Sequence, residues 1–328
     1  MNILAPHIPR CEILNFHLTY TSSLPRICTD FQDIAPHLVS LSFVADVDYG
    51  LGQLTTNDTP SVPQFLFPKL YDLNIDGYNF VDLIRYMPLL LDASQFTGGR
   101  LRSIGINQYS PSAVNGGGPF SIYDVLETLE HLAETLLLAS VDLDHERNSD
   151  DGTIIQDEAT VWLWHRVTLT RLPPDLITEL LYCLNTEVLT ISNCSLNGVY
   201  SSDLDIKIVT LENIIAPGFG YALNNILPTC IGGELNISRC PGFDDIVLYM
   251  LGSQEDHSDD LCAHLLSDLK IKDCQGFSVT ALRRMLQARI KFQDEQQNLF
   301  ERSWLTVTLK NGPAMTDEER SWYEENFW

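Results

Sequence analysis

No Lys/Arg-rich run interleaved with aromatics occurs in these 328 residues, where 20 Lys+Arg stand against 44 Asp+Glu. The resulting formal net charge of −24 repels phosphate backbones, so nucleic acid is not an expected partner. Long apolar runs are missing too: Met87 to Leu91 and Thr135 to Val141 are among the longest. Both fall well short of the roughly 20 residues that cross a bilayer, and no membrane association is expected. The N-terminal MNILAPHIP lacks a basic segment and meets Pro6 and Pro9 before an apolar signal stretch can form. Nineteen Gly and 16 Pro are too few for a collagen-like or low-complexity chain. The eight Cys contain no CxxC pair and no dense disulfide framework. Reduced thiols in a cytoplasmic or nuclear setting are the expectation.

Catalytic signatures are also missing. There is no GxxxxGK[ST], no GxGxxG after a strand, no HExxH and no GxSxG. His131, His145 and His165 are scattered over a helix, a loop and a strand start, and Cys262 with His264 is a lone CxH. No catalytic residue, cofactor or metal site is expected, and the chain does not read as an enzyme. Two acidic, Ser-containing stretches, 142–152 and 252–260, do not match the calcium-loop template and read as solvated loops.

What is there is a repeat. The pattern apolar-x-x-L-x-I-x-x-C occurs clearly at Thr186 to Cys194, Gly232 to Cys240 and Leu266 to Cys274, with its leucine at 189, 235 and 269. Weaker copies place that residue at Leu14, Leu41, Leu73, Ile104, Val141, Val167, Val209 and Leu305. Neighbouring copies lie 27, 32, 31, 37, 26, 22, 20, 26, 34 and 36 residues apart. Most are near or slightly above the roughly 20–29-residue period of leucine-rich repeats. The L-x-I core has the period of a strand that buries two side chains on one face. The segment after the third clear copy has helical period: Val279, Leu282, Met285, Leu286 and Ile290 share a stripe behind Ser278, the expected N-cap. A second helix is expected over Ile122 to Leu137.

Strand then helix, repeated, predicts an α/β leucine-rich-repeat solenoid, a horseshoe with a parallel concave β-sheet and convex helices. About ten irregular repeats span 1–303, and 304–328 adds a C-terminal strand and capping helix to the same body. In that last segment Thr316 and Glu319 form a capping-box pattern, and Trp322, Tyr323, Phe327 and Trp328 are placed to seal the final repeat. The other end is less protected, because Ile3, Leu4, Ile8, Ile13 and Leu14 open the array with almost no charged cover. That points to a missing upstream cover.

The segments LTISNC, LNISRC and LKIKDCQGFSVTALRRML, with the terminal GPAMTDEERSWY, resemble the leucine-rich-repeat portion of F-box/LRR proteins, especially the large fungal sets. The resemblance is good over 186–328 and loose over 1–185. It implies the substrate-recognition part of an SCF-type ubiquitin ligase, binding the Skp1 adaptor only where an F-box is present. Leu172 to Leu184 looks like the opening helix of an F-box, but Asn185 to Ile191 then reads as a repeat strand. An ordinary convex helix with Pro in its first turn explains it equally well. A stand-alone LRR scaffold or decoy without Skp1 binding is the alternative, and a GTPase-activating LRR protein ranks last.

The repeat pattern points certain side chains into the concavity, where a protein substrate would lie. These are Asp72, Asn74, Asp76, Asn107, Asp142, Asp144, Arg166, Thr168, Thr190, Glu212, Asn236, Lys270 and Lys272. Acids at 72, 76, 142 and 144 suggest a basic segment of the partner over the early strands, while Lys270 and Lys272 make the late ones locally basic. The competing reading is that these are solvated strand faces with no partner.

Overall fold

A computed structural model describes residues 5–20, 23–31, 35–47, 67–77, 79–81, 101–109, 121–130, 132–141, 143, 161–199, 206–214, 233–253, 263, 265–295 and 305–327. The chain is α/β with all-parallel strand pairing, and it divides into two compact units, Met1–Leu172 and Pro173–Trp328.

The first unit carries β1 (Ile13–Tyr20), β2 (Ser40–Val47), β3 (Asp72–Asp76), β4 (Leu101–Tyr109), β5 (Ala133–Val141) and β6 (Trp162–Thr170), each parallel to the next. It also carries a 3-10 helix (Ala5–Arg10) and the helices α1 (Ile27–Asp30) and α2 (Ile122–Glu130), the last packed on β5 and β6. Alternation puts Leu41 and Phe43, Leu73 and Ile75, Ile104 and Ile106, Leu136 and Leu138, and Val167 and Leu169 on one buried face. Each such side chain contributes roughly 1.5–3 kcal/mol on burial, so this face dominates the unit's cohesion.

Two sequence expectations need correction here. Leu126, Leu129, Leu132 and Leu136 suggest one helix running to Leu137, but α2 stops at Glu130 and β5 begins at Ala133. The rung residue of β5 is therefore Leu136, opposite Ile104 and Val167, and not Val141. Leu136-Leu137-Leu138 fits either period. Pairing with Ile104 and Ile106 on one side and Val167 and Leu169 on the other decides for strand. With Leu136 in place the rungs at 41, 73, 104, 136 and 167 are 32, 31, 32 and 31 residues apart.

The second unit carries α3 (Pro174–Cys183), β7 (Leu184–Ser192), β8 (Ile208–Glu212), β9 (Glu234–Ser238), α4 (Asp245–Leu251), β10 (Asp268–Lys272), α5 (Val279–Glu295), β11 (Thr306–Lys310) and α6 (Asp317–Phe327). Strands β7 to β11 pair in parallel with Leu189, Val209, Leu235, Leu269 and Val307 in register. Val307, not Leu305, thus holds the last rung. The F-box-like stretch is the single helix α3, begun by Pro174 and running directly into β7.

Local signals account for the helix ends. Asp244 accepts from the N–H groups of Ile246 and Val247 to start α4, and Ser278 Oγ accepts from Ala281 to start α5. Thr316 and Glu319 form the reciprocal box: Glu319 N–H donates to Thr316 Oγ1 at 3.2 Å, and Thr316 N–H to Glu319 Oε2 at 2.8 Å. Arg283 lies 4.5 Å from the Trp322 ring centroid and ties α6 to α5. The guanidinium of Arg289, buried in the core, donates to the carbonyls of Leu251 and Ala263 at 2.8 Å each. It thereby satisfies the last carbonyl of α4, which has no partner within its own helix.

Candidate functional site

Four residues after the rung position, each strand from β4 to β11 places a non-glycine residue in the left-handed region: Gln108, Ser140, Arg171, Asn193, Asn213, Arg239, Asp273 and Asn311, all with φ of 51–54°. In the second unit these residues donate their N–H groups to the neighbouring strand's last carbonyl. Asn193 donates to Glu212, Asn213 to Ser238, Arg239 to Lys272 and Asp273 to Lys310, at 2.8–2.9 Å. The left-handed turn sends the next residue back into the core. Tyr109, Val141, Leu172, Cys194, Ile214, Cys240 and Cys274 occupy that place and all are buried.

The three thiols there are reduced and hydrogen-bonded. Cys194, Cys240 and Cys274 donate to the carbonyls of Ser192, Ser238 and Lys272 at 3.2–3.3 Å. Burial pushes the Cys240 thiol up to about 11, and raises that of Cys274 as well. Neither is a nucleophile at neutral pH. Among the described residues no group of three or more His, Cys, Asp or Glu is placed to hold a metal ion.

On the side of the strands away from the buried rungs, polar side chains form ladders. Asp72 accepts from Ser103 Oγ at 2.7 Å. Asn74 donates to Ser42 Oγ at 3.5 Å and accepts from Asn107 Nδ2. Gly105 is the reason Asn74 and Asn107 can meet diagonally, since a Cβ there would lie 2.5 Å from Asn74 Oδ1. Arg166 is exposed opposite Thr135, and Thr168 is half-buried opposite Leu137. In the second unit Thr190 pairs in register with Thr210, whose hydroxyl accepts from Asn236 Nδ2 at 3.2 Å. Asn236 also donates to Glu234, and Glu212 pairs with Arg239. Lys270 lies 2.8 Å from Glu234 and 3.2 Å from Asp268. The hydrogen bond from Lys270, then that from Asn236, holds the Glu234 carboxyl below its usual range, and Glu234 and Asp268 hold the ammonium above its own.

Asp76 departs from the sequence reading. It is wholly buried and accepts from Asn79, from Nδ2 at 2.7 Å and from N–H at 3.4 Å. Asn79 in turn accepts from the Ile27 N–H and donates to Pro25, so Asp76 and Asn79 stitch β3 to the start of α1. Asp142 and Asp144 lie outside the described residues. The corrected β5 register puts Thr135, Leu137 and Ala139 on the open face. Among the described residues, Asp72 on the early open face is engaged by Ser103, and Asp46 is bonded to His17 Nε2 at 2.8 Å.

Comparison with family models, curated proteins and solved structures finds no match for this chain. The site is thus defined by its own geometry.

The left-handed rim is the feature that sequence reading passed over. Its side chains link neighbouring repeats: Arg171 Nε donates to Ser140 Oγ at 2.8 Å, Asn213 Nδ2 to Asn193 Oδ1 at 2.6 Å, and Asn311 Nδ2 to Asp273 Oδ1 at 2.7 Å. The signal was present, as a polar residue four places after every rung from Ile104 onward, with Asn or Asp at four of eight.

Proposed function

We propose that this chain is a non-catalytic protein-binding module of leucine-rich-repeat type, with its open strand face as the binding surface. The observation that carries the reading is the recurring left-handed residue four places after the rung, succeeded by a buried apolar residue or thiol. This turn ends β4 to β11 in the same way, and within each unit it leaves a largely polar strand face for a ligand. The cysteine-type repeats around 189, 235 and 269 support, by resemblance, a role in substrate recognition within an SCF-type ubiquitin ligase of the F-box/LRR class. That assignment carries a cytoplasmic or nuclear location with it.

The partner chemistry depends on which charges are engaged. Asp46, Asp72, Glu212, Glu234 and Asp268 each have a partner side chain on the open face or its rim. Lys272 and Lys310 are exposed, directly opposed in register, and form no ion pair among the described residues. Two cations side by side cost stability unless an anion lies across them, so carboxylates of a protein substrate fit the second unit. On the early strands Asp76 is buried and Asp72 is engaged by Ser103, so neither is a free acid for a basic segment.

Co-purification with recombinant Skp1 and cullin, for the 328-residue chain and for a form carrying any upstream coding sequence, tests the ligase role. A stoichiometric complex with either form supports it. Failure of both leaves the second reading, a stand-alone scaffold. The direct passage of α3 into β7, with no second helix after the F-box-like stretch, favours that reading.

A further inference from the structure

We propose that two copies of this chain associate through β1, with the strands antiparallel about a two-fold axis at Phe16, so that one sheet continues into the other. β1 stands at the end of the strand order, paired with β2 on one side and, among the described residues, with no strand on the other. Leu41, Phe43 and Ala45 of β2 are at most 3% exposed, but Leu14, Phe16 and Leu18, opposite them rung for rung, are only half-buried. Phe16 stacks on Phe43 at 5.4 Å and meets Phe31 edge-on at 6.4 Å, yet it stays only half-buried. On the opposite side of the strand Ile13 is 63% exposed.

Within β1 itself the usual protective residues are missing. β1 reads ILNFHLTY, with no Lys, Glu or Pro in eight residues. In a chain of net charge −24, such an uncharged edge lets two copies approach without opposing like charges. The strand is also complementary to itself. Directly opposed residues of an antiparallel pair share a face, so a two-fold axis normal to the sheet must pass through a residue and its own copy. With Phe16 on that axis, Leu14 meets Leu18 of the second copy and the apolar stripes close over each other. On the other face Asn15 meets His17, which can share a hydrogen bond, and Ile13 meets Thr19. The dimer is independent of what the open face binds.

The carbonyl of Glu12 accepts from the N–H groups of Val39 and Ser40, so even-numbered residues of β1 bond to β2 and the N–H groups of 13, 15, 17 and 19 point to the free edge. His17→Pro therefore removes an edge donor without touching the β1–β2 ladder. Sedimentation equilibrium of the full chain up to about 100 μM is expected to show a dimer, and His17→Pro a monomer with unchanged far-UV circular dichroism. Asn15→Lys with His17→Lys, which opposes cations twice across the axis, is expected to weaken association at least about tenfold, more at low salt. A wild-type monomer throughout that range overturns the proposal. So does a dimer undiminished by the double-lysine change, which decides the matter if His17→Pro disturbs the fold.

Discussion

The backbone N–H of Cys240 donates to the thiol sulfur of Cys274 at 3.4 Å, and that thiol donates to the carbonyl of Lys272 at 3.3 Å. One cysteine thus satisfies polar groups in two successive repeats. This explains why a weakly polar, compact side chain recurs at a buried position, where an aliphatic residue would leave the N–H of the neighbouring turn unmet.

These thiols are expected to be inert in the native state. Brief iodoacetamide treatment and subsequent peptide mapping should show half-exposed Cys11 modified, with Cys194, Cys240 and Cys274 unlabelled until denaturant is added. Equal labelling of Cys11 and Cys240 would contradict the buried ladder.

Asp76 provides a sharper contrast between a surface acid and a structural one. Asp76→Ala should cost about 1–3 kcal/mol, because the amide of buried Asn79 loses its acceptor. Asp72→Ala, which removes one hydrogen bond on the half-buried open face, should cost under about 1 kcal/mol. Urea titrations of the two variants distinguish these outcomes, and equal midpoints would place Asp76 at the surface.

The left-handed rim makes a conformational prediction. At Asn213, φ is 51° and the side chain reaches Asn193, so Val should destabilise by about 1–3 kcal/mol, whereas Gly should lose little beyond the hydrogen bond. Thermal unfolding of both variants checks this, and an equal loss would mean that backbone strain is not the controlling factor.

Acid should loosen the C-terminal helix. Hydrogen bonds from the Thr316 N–H and hydroxyl hold the Glu319 carboxyl below its ordinary value of 4.5. A lowered carboxylate stabilises the fold above its unfolded value and loses that contribution as pH falls through the folded one. Protection factors of the amides in 317–327, corrected for intrinsic exchange, should therefore fall below about pH 4.5, and unchanged protection would contradict the box. Thr316→Ala should bring the lowered protection to neutral pH.

How far the sequence could be read depended on whether each signal was local. Ser278 and the Thr316–Glu319 pair announce helix starts, because a cap is a contact between residues two or three apart. The L-x-I copies at 189, 235 and 269 announce strands, because alternation needs only three residues. The same residue types sufficed to exclude long apolar spans, and no helix among the described residues is long and apolar enough to cross a membrane.

Only the tertiary structure decided the rest. Leu136-Leu137-Leu138 continues a helical stripe as readily as it begins a strand, and its register came from Ile104 and Val167, about 31 residues away on either side. Asp76 and Arg289 carry charges that composition assigns to the surface. Asn79 and Ile27 enclose the first, and the carbonyls of Leu251 and Ala263 receive the second. Periodicity states which side chains share a face. Which of two permissible faces is buried, and which polar groups are buried with it, depends on partners distant in the chain whose hydrogen bonds offset the loss of water.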